Sequence, residues 1–310
     1  MDETDPTAGE VPPVRLPLVC VAADDLARAA QRRHHRSAAA RLMLGIAAAG
    51  LATAATAIVV RDVELLQLGA AAAFLAALII ELSALVRRHD DMWFEARTIS
   101  ETVKTAAWRL AVGASPYGVD DPSAPEHVTT QLIDHHAALA SLGQHVVDHN
   151  IDSLLQLRSS KLAVRRQAYV AYRVTDQQQW FEHRVRIANA RVTRLKVAMV
   201  IGEVVGLLLA LFKAFHIIHV DLSGIAATFI SAGAAWLATR QYELNARSYS
   251  RTHRHLVEVT AGLWEINDES SWAAAAGAAE DLLMGENQAW HTARSDRAKT
   301  LRTAPNGATS

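Results

Sequence analysis

Three ionisable side chains stand where a charge is costly. Glu81, Glu203 and Lys213 each interrupt a run of apolar residues, and Gln67 lies in the same run as Glu81. A charged group at moderate depth in a bilayer costs roughly 1–3 kcal/mol, so such residues face a bundle interior or water rather than lipid. Glu81 and Glu203 fall six or seven residues inside a basic boundary, about 10 Å deep at the rise of an α-helix. Gln67, fourteen residues before Glu81, falls near the same helical face, and Glu203, Gly206, Ala210 and Lys213 make a comparable stripe. The chemistry open to these groups is ion conduction or binding along a polar path. The alternative is local neutralisation, with Arg41 or Lys196 pairing the glutamates and Lys213 extending to the membrane surface.

A second set of residues is spaced to share helix faces outside the apolar runs. Trp93, Arg97, Glu101, Lys104 and Trp108 follow steps of four, four, three and four, and Tyr169, Arg173, Gln177, Trp180 and Arg184 repeat those steps. Arg97–Glu101 and Glu101–Lys104 are placed to form ion pairs. Aromatic and charged residues on one stripe suit a packing seam; the sharper alternative is a subunit interface or a ligand-sensing surface.

Catalytic signatures are missing: there is no phosphate-cradling glycine loop, CxxC pair, HExxH or GxSxG. His145 and His149 are four apart but have no further ligands in view, so no metal or cofactor is expected. The expectation is a protein that is not an enzyme.

The elements that position these residues are helical. Residues 42–60 carry no charge, and at about 1.5 Å per residue they span roughly the hydrocarbon thickness of a bilayer. Residues 65–86, interrupted once by Glu81, 197–220, carrying Glu203 and Lys213, and the uncharged 222–239 are further such runs, with Arg61-Asp62-Val63-Glu64 and Asp221 as the only polar turns between partners. The expected fold is therefore an all-α membrane protein with four transmembrane helices as two helical hairpins, flanked by long cytoplasmic helices. In TM1 and TM4, Gly45, Ala49 and Thr53, then Gly224, Thr228 and Ala232, place small residues at four-residue spacing, which favours helix contact there. Arg28, Arg32, Arg33, Arg36 and Arg41 precede TM1; Arg87 and Arg88 follow TM2; Arg184, Arg186, Arg191, Arg194 and Lys196 precede TM3; Arg240 and Arg247 follow TM4. Basic flanks stay cytoplasmic, so both termini are expected inside.

Overall composition, 51% apolar and 20% charged, resembles a soluble average only because the two classes are segregated. The net charge of −1 gives no bulk signal for a nucleic-acid partner. The single cysteine, Cys20, fits a reducing compartment. Residues 1–20 lack a basic segment of the signal-peptide kind and are expected as a loose tail, as are residues 295–310. The two hairpins recur at an offset of about 153–157 residues, the scale of a duplicated domain. The first unit is expected over 21–114 and the second over 131–294. A linker rich in proline and glycine, 115–130, separates them. From Thr130 to Lys196 the only helix breaker is Gly143, so one or two long helices should lead straight into TM3.

A hairpin followed by Trp93-x3-Arg97-x3-Glu101-x2-Lys104-x3-Trp108 resembles the SLATT superfamily of bacterial two-transmembrane effector domains. The second half is similar too, with Tyr169-x3-Arg173-x3-Gln177-x2-Trp180-Phe181 before its hairpin and a closing segment from Glu280 through Glu286 to Trp290. The resemblance covers about residues 25–292 as a tandem. It implies a multi-pass protein of the bacterial inner membrane, a homo-oligomer acting as a pore-forming effector in anti-phage or other conflict systems. A nucleotide second messenger or a sensor protein would be its trigger, and it brings no catalytic residues. The alternative function is a membrane-anchored scaffold whose cytoplasmic helices bind a partner.

Overall fold

The computed structural model describes residues 14–55, 65–87, 89–146, 150–218 and 222–285. All regular structure among them is helical: α1 (Leu18–Ala55), α2 (Leu65–Arg87), α3 (His89–Val112), α4 (Ala124–Ser141), α5 (Asp152–Arg158), α6 (Leu162–Tyr169), a π-helical turn (Val170–Val174), α7 (Thr175–Ala214), α8 (Ser223–Arg240), α9 (Tyr242–Leu263) and α10 (269–285). The inter-helix turns at 61–64 and Asp221, and the segment from Glu286 to Trp290, lie outside the described residues.

Two compact units form, Met1–Arg28 with Met92–Glu182 and Ser248–Ser310, and Ala29–Asp91 with His183–Arg247. The contacts gather the apolar segments of both sequence halves in one unit and their flanking segments in the other. They cut across the boundary drawn at 115–130.

The first unit has an ordinary globular core. Ile99, Val103, Ala107, Leu110 and Ala111 of α3, Val128 and Leu132 of α4, Leu256 and Leu263 of α9, and Trp272, Ala276 and Leu283 of α10 are all buried in it. Tyr169 sits edge-on between Trp108 and Trp272, each ring centroid 5.9 Å away, a geometry that suits aromatic quadrupoles. Trp272 donates its indole N–H to the Val112 carbonyl at 2.8 Å.

Local chemistry explains where helices stop. Gly113 takes φ +71° and lets the Ala114 N–H reach back to the Arg109 carbonyl at 2.9 Å, closing α3 as a left-handed cap. A Cβ there would lie 2.5 Å from Val119 Cγ2. Gly143, at φ +83°, ends α4 in the same way. The expected one or two long helices from Thr130 into TM3 are therefore corrected: α4 stops at Ser141, and the Asn150 side chain accepts the Asp152 N–H at 2.8 Å to start the short α5. Only from Leu162 does one helix run without interruption to Ala214. The expected N-terminal tail is also shorter, because α1 begins at Leu18 and Cys20 is buried beside Ser100.

The second unit has few buried residues. Three helices are long and apolar enough to cross a membrane: Leu18–Ala54, Leu66–Ser83 and Leu162–Ala214; the most apolar stretch of the last buries none of its residues. The chain is a membrane protein. Helix α8 is not among the three; it is rich in alanine and glycine and ends at Arg240, and none of its residues is buried. Close approaches run in opposite directions along the helices: Gly206 on Ala226, Gly202 on Phe229 and Ile230, and Gly233 on Met199, while Gly69 meets Leu51.

These contacts bear on the expected small-residue seams of TM1 and TM4: TM4 does pack closely, but through Gly233 and Ala226 and not through Gly224. Gly45 and Gly224 have open space at the Cβ position. The close-packed glycines are instead Gly202 and Gly206 on α7, Gly233 on α8 and Gly69 on α2, since each lets a larger side chain of its neighbour approach.

Candidate functional site

Of the two glutamates in the apolar helices, one is paired. In α2, Glu81 forms an ion pair with Arg41 of α1, so its charge is neutralised locally. Lys196, by contrast, does not serve Glu203. Its ammonium pairs with Glu243 at the start of α9, at 2.6 Å, because the α8–α9 turn brings that carboxylate to the basic end of the segment. Glu203 is exposed on α7 and has no ionic partner among the described residues. Gln67 is exposed near the start of α2, and Lys213 is half-buried in the last turn of α7.

The stripes outside the apolar segments lie in the first unit, except Arg184, which falls in the second. Trp93, Glu101 and Trp108 on α3, and Tyr169 and Arg173 around the π-turn, are buried; Arg97, Gln177 and Trp180 are partly covered. Both ion pairs expected on α3 form: Arg97–Glu101 at 2.9 Å and Lys104–Glu101 at 3.1 Å. Burial pushes the Glu101 carboxyl upward, but Arg97, Lys104 and Arg173 together hold it below the usual carboxylate range.

The strongest polar constellation centres on a residue that spacing did not single out as a site. Glu280 of α10 is fully buried and accepts four hydrogen bonds. Arg173 gives two, Nε at 2.9 Å and Nη2 at 2.8 Å. The Tyr169 hydroxyl donates at 3.0 Å and the Thr105 hydroxyl at 2.9 Å. The arginine is 2% exposed and the glutamate 0%, so the pair is fully desolvated and held by the fork geometry that guanidinium offers a carboxylate. A carboxylate engaged at both oxygens has no lone pair directed outward for a substrate, and its role is to join α3, the π-turn and α10.

Two further arginines organise the loop after α3, and neither showed in the sequence as more than a basic residue. Arg158 donates to the carbonyls of Leu110, Tyr117, Gly118, Val119 and Asp121. Arg165 holds the Val112 carbonyl at 2.8 Å and pairs with Glu269. Their partners are main-chain oxygens distant in sequence, which residue type and spacing do not reveal. Of the proposed histidine pair, His149 lies outside the described residues.

Residues 17–166 match the family model described as SMODS and SLOG-associating 2TM effector domain 3. Residues 169–290 match that of SMODS and SLOG-associating 2TM effector domain 1. No curated protein and no solved structure matches the chain. With residues 17–290 almost wholly covered by two such domains in succession, the chain belongs to the SLATT superfamily and is a tandem of two SLATT effector domains.

Proposed function

We propose that this protein is an oligomeric pore-forming effector of a bacterial conflict system, set in the inner membrane as four spans in two hairpins with both termini cytoplasmic. The observation that carries the reading is Glu203, an exposed carboxylate without an ionic partner among the described residues, on the helix whose apolar stretch buries nothing. Facing lipid, such a group is costly; facing water or another copy, it is not. A single chain of four spans encloses little space, so a ring of copies with α7 toward the axis gives Glu203 a polar path. The apolar side chains of α2, including Phe74, Leu75 and Ile79, are more than half exposed and suit lipid on the outside of that ring. The first unit, with its own core, receives the trigger, a nucleotide second messenger or a sensor protein. No catalysed reaction is part of this reading.

Light scattering on nanodisc-purified protein should give a defined oligomer, and planar-bilayer recording on the same sample should give discrete conductances. Glu203→Gln should then change conductance or cation selectivity. Unchanged currents from well-folded variant protein would sink the assignment of Glu203.

A second reading, a membrane-anchored scaffold, draws on the packing of the first unit. It predicts a silent monomer or dimer, and function that survives exchange of the apolar segments for unrelated ones.

A further inference from the structure

The basic residues at the cytoplasmic end of the second unit are more concentrated and more organised than topology requires. Residues 29–41, 183–196 and 240–247 carry eleven arginines and lysines against one acid, Glu243. At the α8–α9 turn they meet aromatic side chains. Gln241 adopts a left-handed conformation, φ 48°, which folds Tyr242 back beside α8. The Arg191 guanidinium lies 5.8 Å from the Tyr242 ring centroid, and Arg240 lies 5.3 Å from it. Arg240 also sits 5.2 Å from the Trp236 ring and donates Nε–H to the Tyr242 hydroxyl at 2.8 Å. Glu243 is already engaged by Lys196. The apolar runs begin at Val197 and end at Thr239, so this cluster stands at the depth of lipid headgroups, with Trp236 one turn inside, where interfacial aromatics sit.

We infer that the α7–α8–α9 junction is a binding site for anionic phospholipid headgroups, built from Arg191 and Arg240 held on Tyr242 and Trp236. Stacking on the rings fixes the guanidinium planes; Arg240 gives its Nε–H to Tyr242 and keeps its two Nη groups to donate, and a phosphodiester accepts two such N–H groups at once. Arg41 and Lys196 are paired with Glu81 and Glu243, but Arg191 and Arg240 have no acidic partner among the described residues, so the complementary partner is a negatively charged headgroup rather than a zwitterionic one. Each basic residue near the surface adds about fivefold to the preference for an anionic lipid, and salt screens it. The inference rests on the membrane placement of α8 and is independent of pore activity.

Trp236 is the one tryptophan in the second unit, so it reports on the site directly. The protein is reconstituted in phosphatidylcholine vesicles containing either brominated phosphatidylcholine or brominated phosphatidylglycerol, and quenching is read against a Trp236→Phe background. Brominated phosphatidylglycerol should quench at about fivefold lower mole fraction. High salt, or Arg191→Gln with Arg240→Gln, should bring the two lipids together. Salt provides the check on unaltered protein should the double variant fold poorly. Equal quenching by both lipids at low salt overturns the headgroup site while leaving α8 in the membrane. Quenching by neither removes α8 from the bilayer and overturns the membrane placement and the inference together.

Discussion

Replacing Glu280 by glutamine keeps the shape of the side chain and removes the charge that four donors surround. The amide retains one acceptor oxygen, while its NH2 group faces a guanidinium that is itself a donor. Arg173 is thereby left 2% exposed beside a neutral partner, and breaking a buried pair in this way costs roughly 3–5 kcal/mol. That is a large share of the ~5–15 kcal/mol that holds a typical domain. Tyr169→Phe removes one donor and leaves the ion pair intact, so it should cost only about 1–2 kcal/mol. Thermal or denaturant unfolding of detergent-solubilised protein, followed by near-UV circular dichroism, reads the effect directly, because Trp108 and Trp272 flank Tyr169. The expected order is Glu280→Gln well below Tyr169→Phe. A double variant, Arg173→Met with Glu280→Leu, should lie closer to the parent than Glu280→Gln alone, since no charge is then stranded. Were Glu280→Gln no worse than Tyr169→Phe, the pair would not be desolvated in the way the structure shows.

Three other perturbations follow from the same geometry. Arg158→Ala removes the side-chain donor of five carbonyls between Leu110 and Asp121; Leu110 and Gly118 keep a backbone N–H, but the buried Tyr117 carbonyl loses its donor, so a loss of roughly 1–3 kcal/mol is expected, with faster proteolysis in residues 113–123. The folded-state Glu101 carboxyl is held below its ordinary value and Asp268, which caps α10 through the Ser271 N–H, titrates at about 2. Both groups stabilise the first unit fully above the usual carboxylate pKa, and their contribution is lost as pH falls through the lowered values; unfolding midpoints across pH 6 to pH 2 should fall at the acid end, and Glu101→Gln should flatten part of that slope. A Cβ at Gly206 would lie 3.1 Å from Ala226 Cβ, so Gly206→Leu should force α7 and α8 apart and lower the melting temperature in nanodiscs. The near-UV signal of the Tyr169 cluster should persist at low temperature.

How much could be read from residue order depended on distance along the chain. The Arg97–Glu101–Lys104 pairs are three and four residues apart, so helical periodicity alone brings them together. Three of the four expected apolar segments fall in helices long and apolar enough to cross a membrane, because composition over a continuous window decides membrane affinity; the fourth, in α8, does not stand out in that way. Glu280 was not legible as the partner of Arg173, because 107 residues separate them and periodicity reports a face, not what covers it. The stripe from Trp93 to Trp108 shows the limit well. Its spacing fitted a packing seam and a binding surface alike, and only partners distant in sequence, Tyr169 among them, leave Trp108 3% exposed. The related position Trp264, near the end of α9, is 48% exposed, so resemblance between the halves does not carry burial with it.

The two halves differ most in how they dispose of intramembrane charge. Arg41 and Glu81 face each other across α1 and α2. Shifted by the offset of about 153–157 residues, Arg41 corresponds to Arg194 or Lys196, but the positions corresponding to Glu81 are Ala234 to Ala238, with no acid among them. Lys196 turns instead to Glu243, beyond the apolar segment. Glu203 has the reverse history: its counterparts are Ile46 to Gly50 in α1, none of them ionisable. The first pair of helices thus keeps an acid and its base together, while in the second Lys196 pairs beyond the apolar segment and Glu203 has no ionic partner among the described residues. On the pore reading this asymmetry assigns the walls to α1 and α2 and the polar path to α7. A tandem chain can make that assignment where a single two-helix domain, repeated identically around a ring, must place every helix pair in the same role.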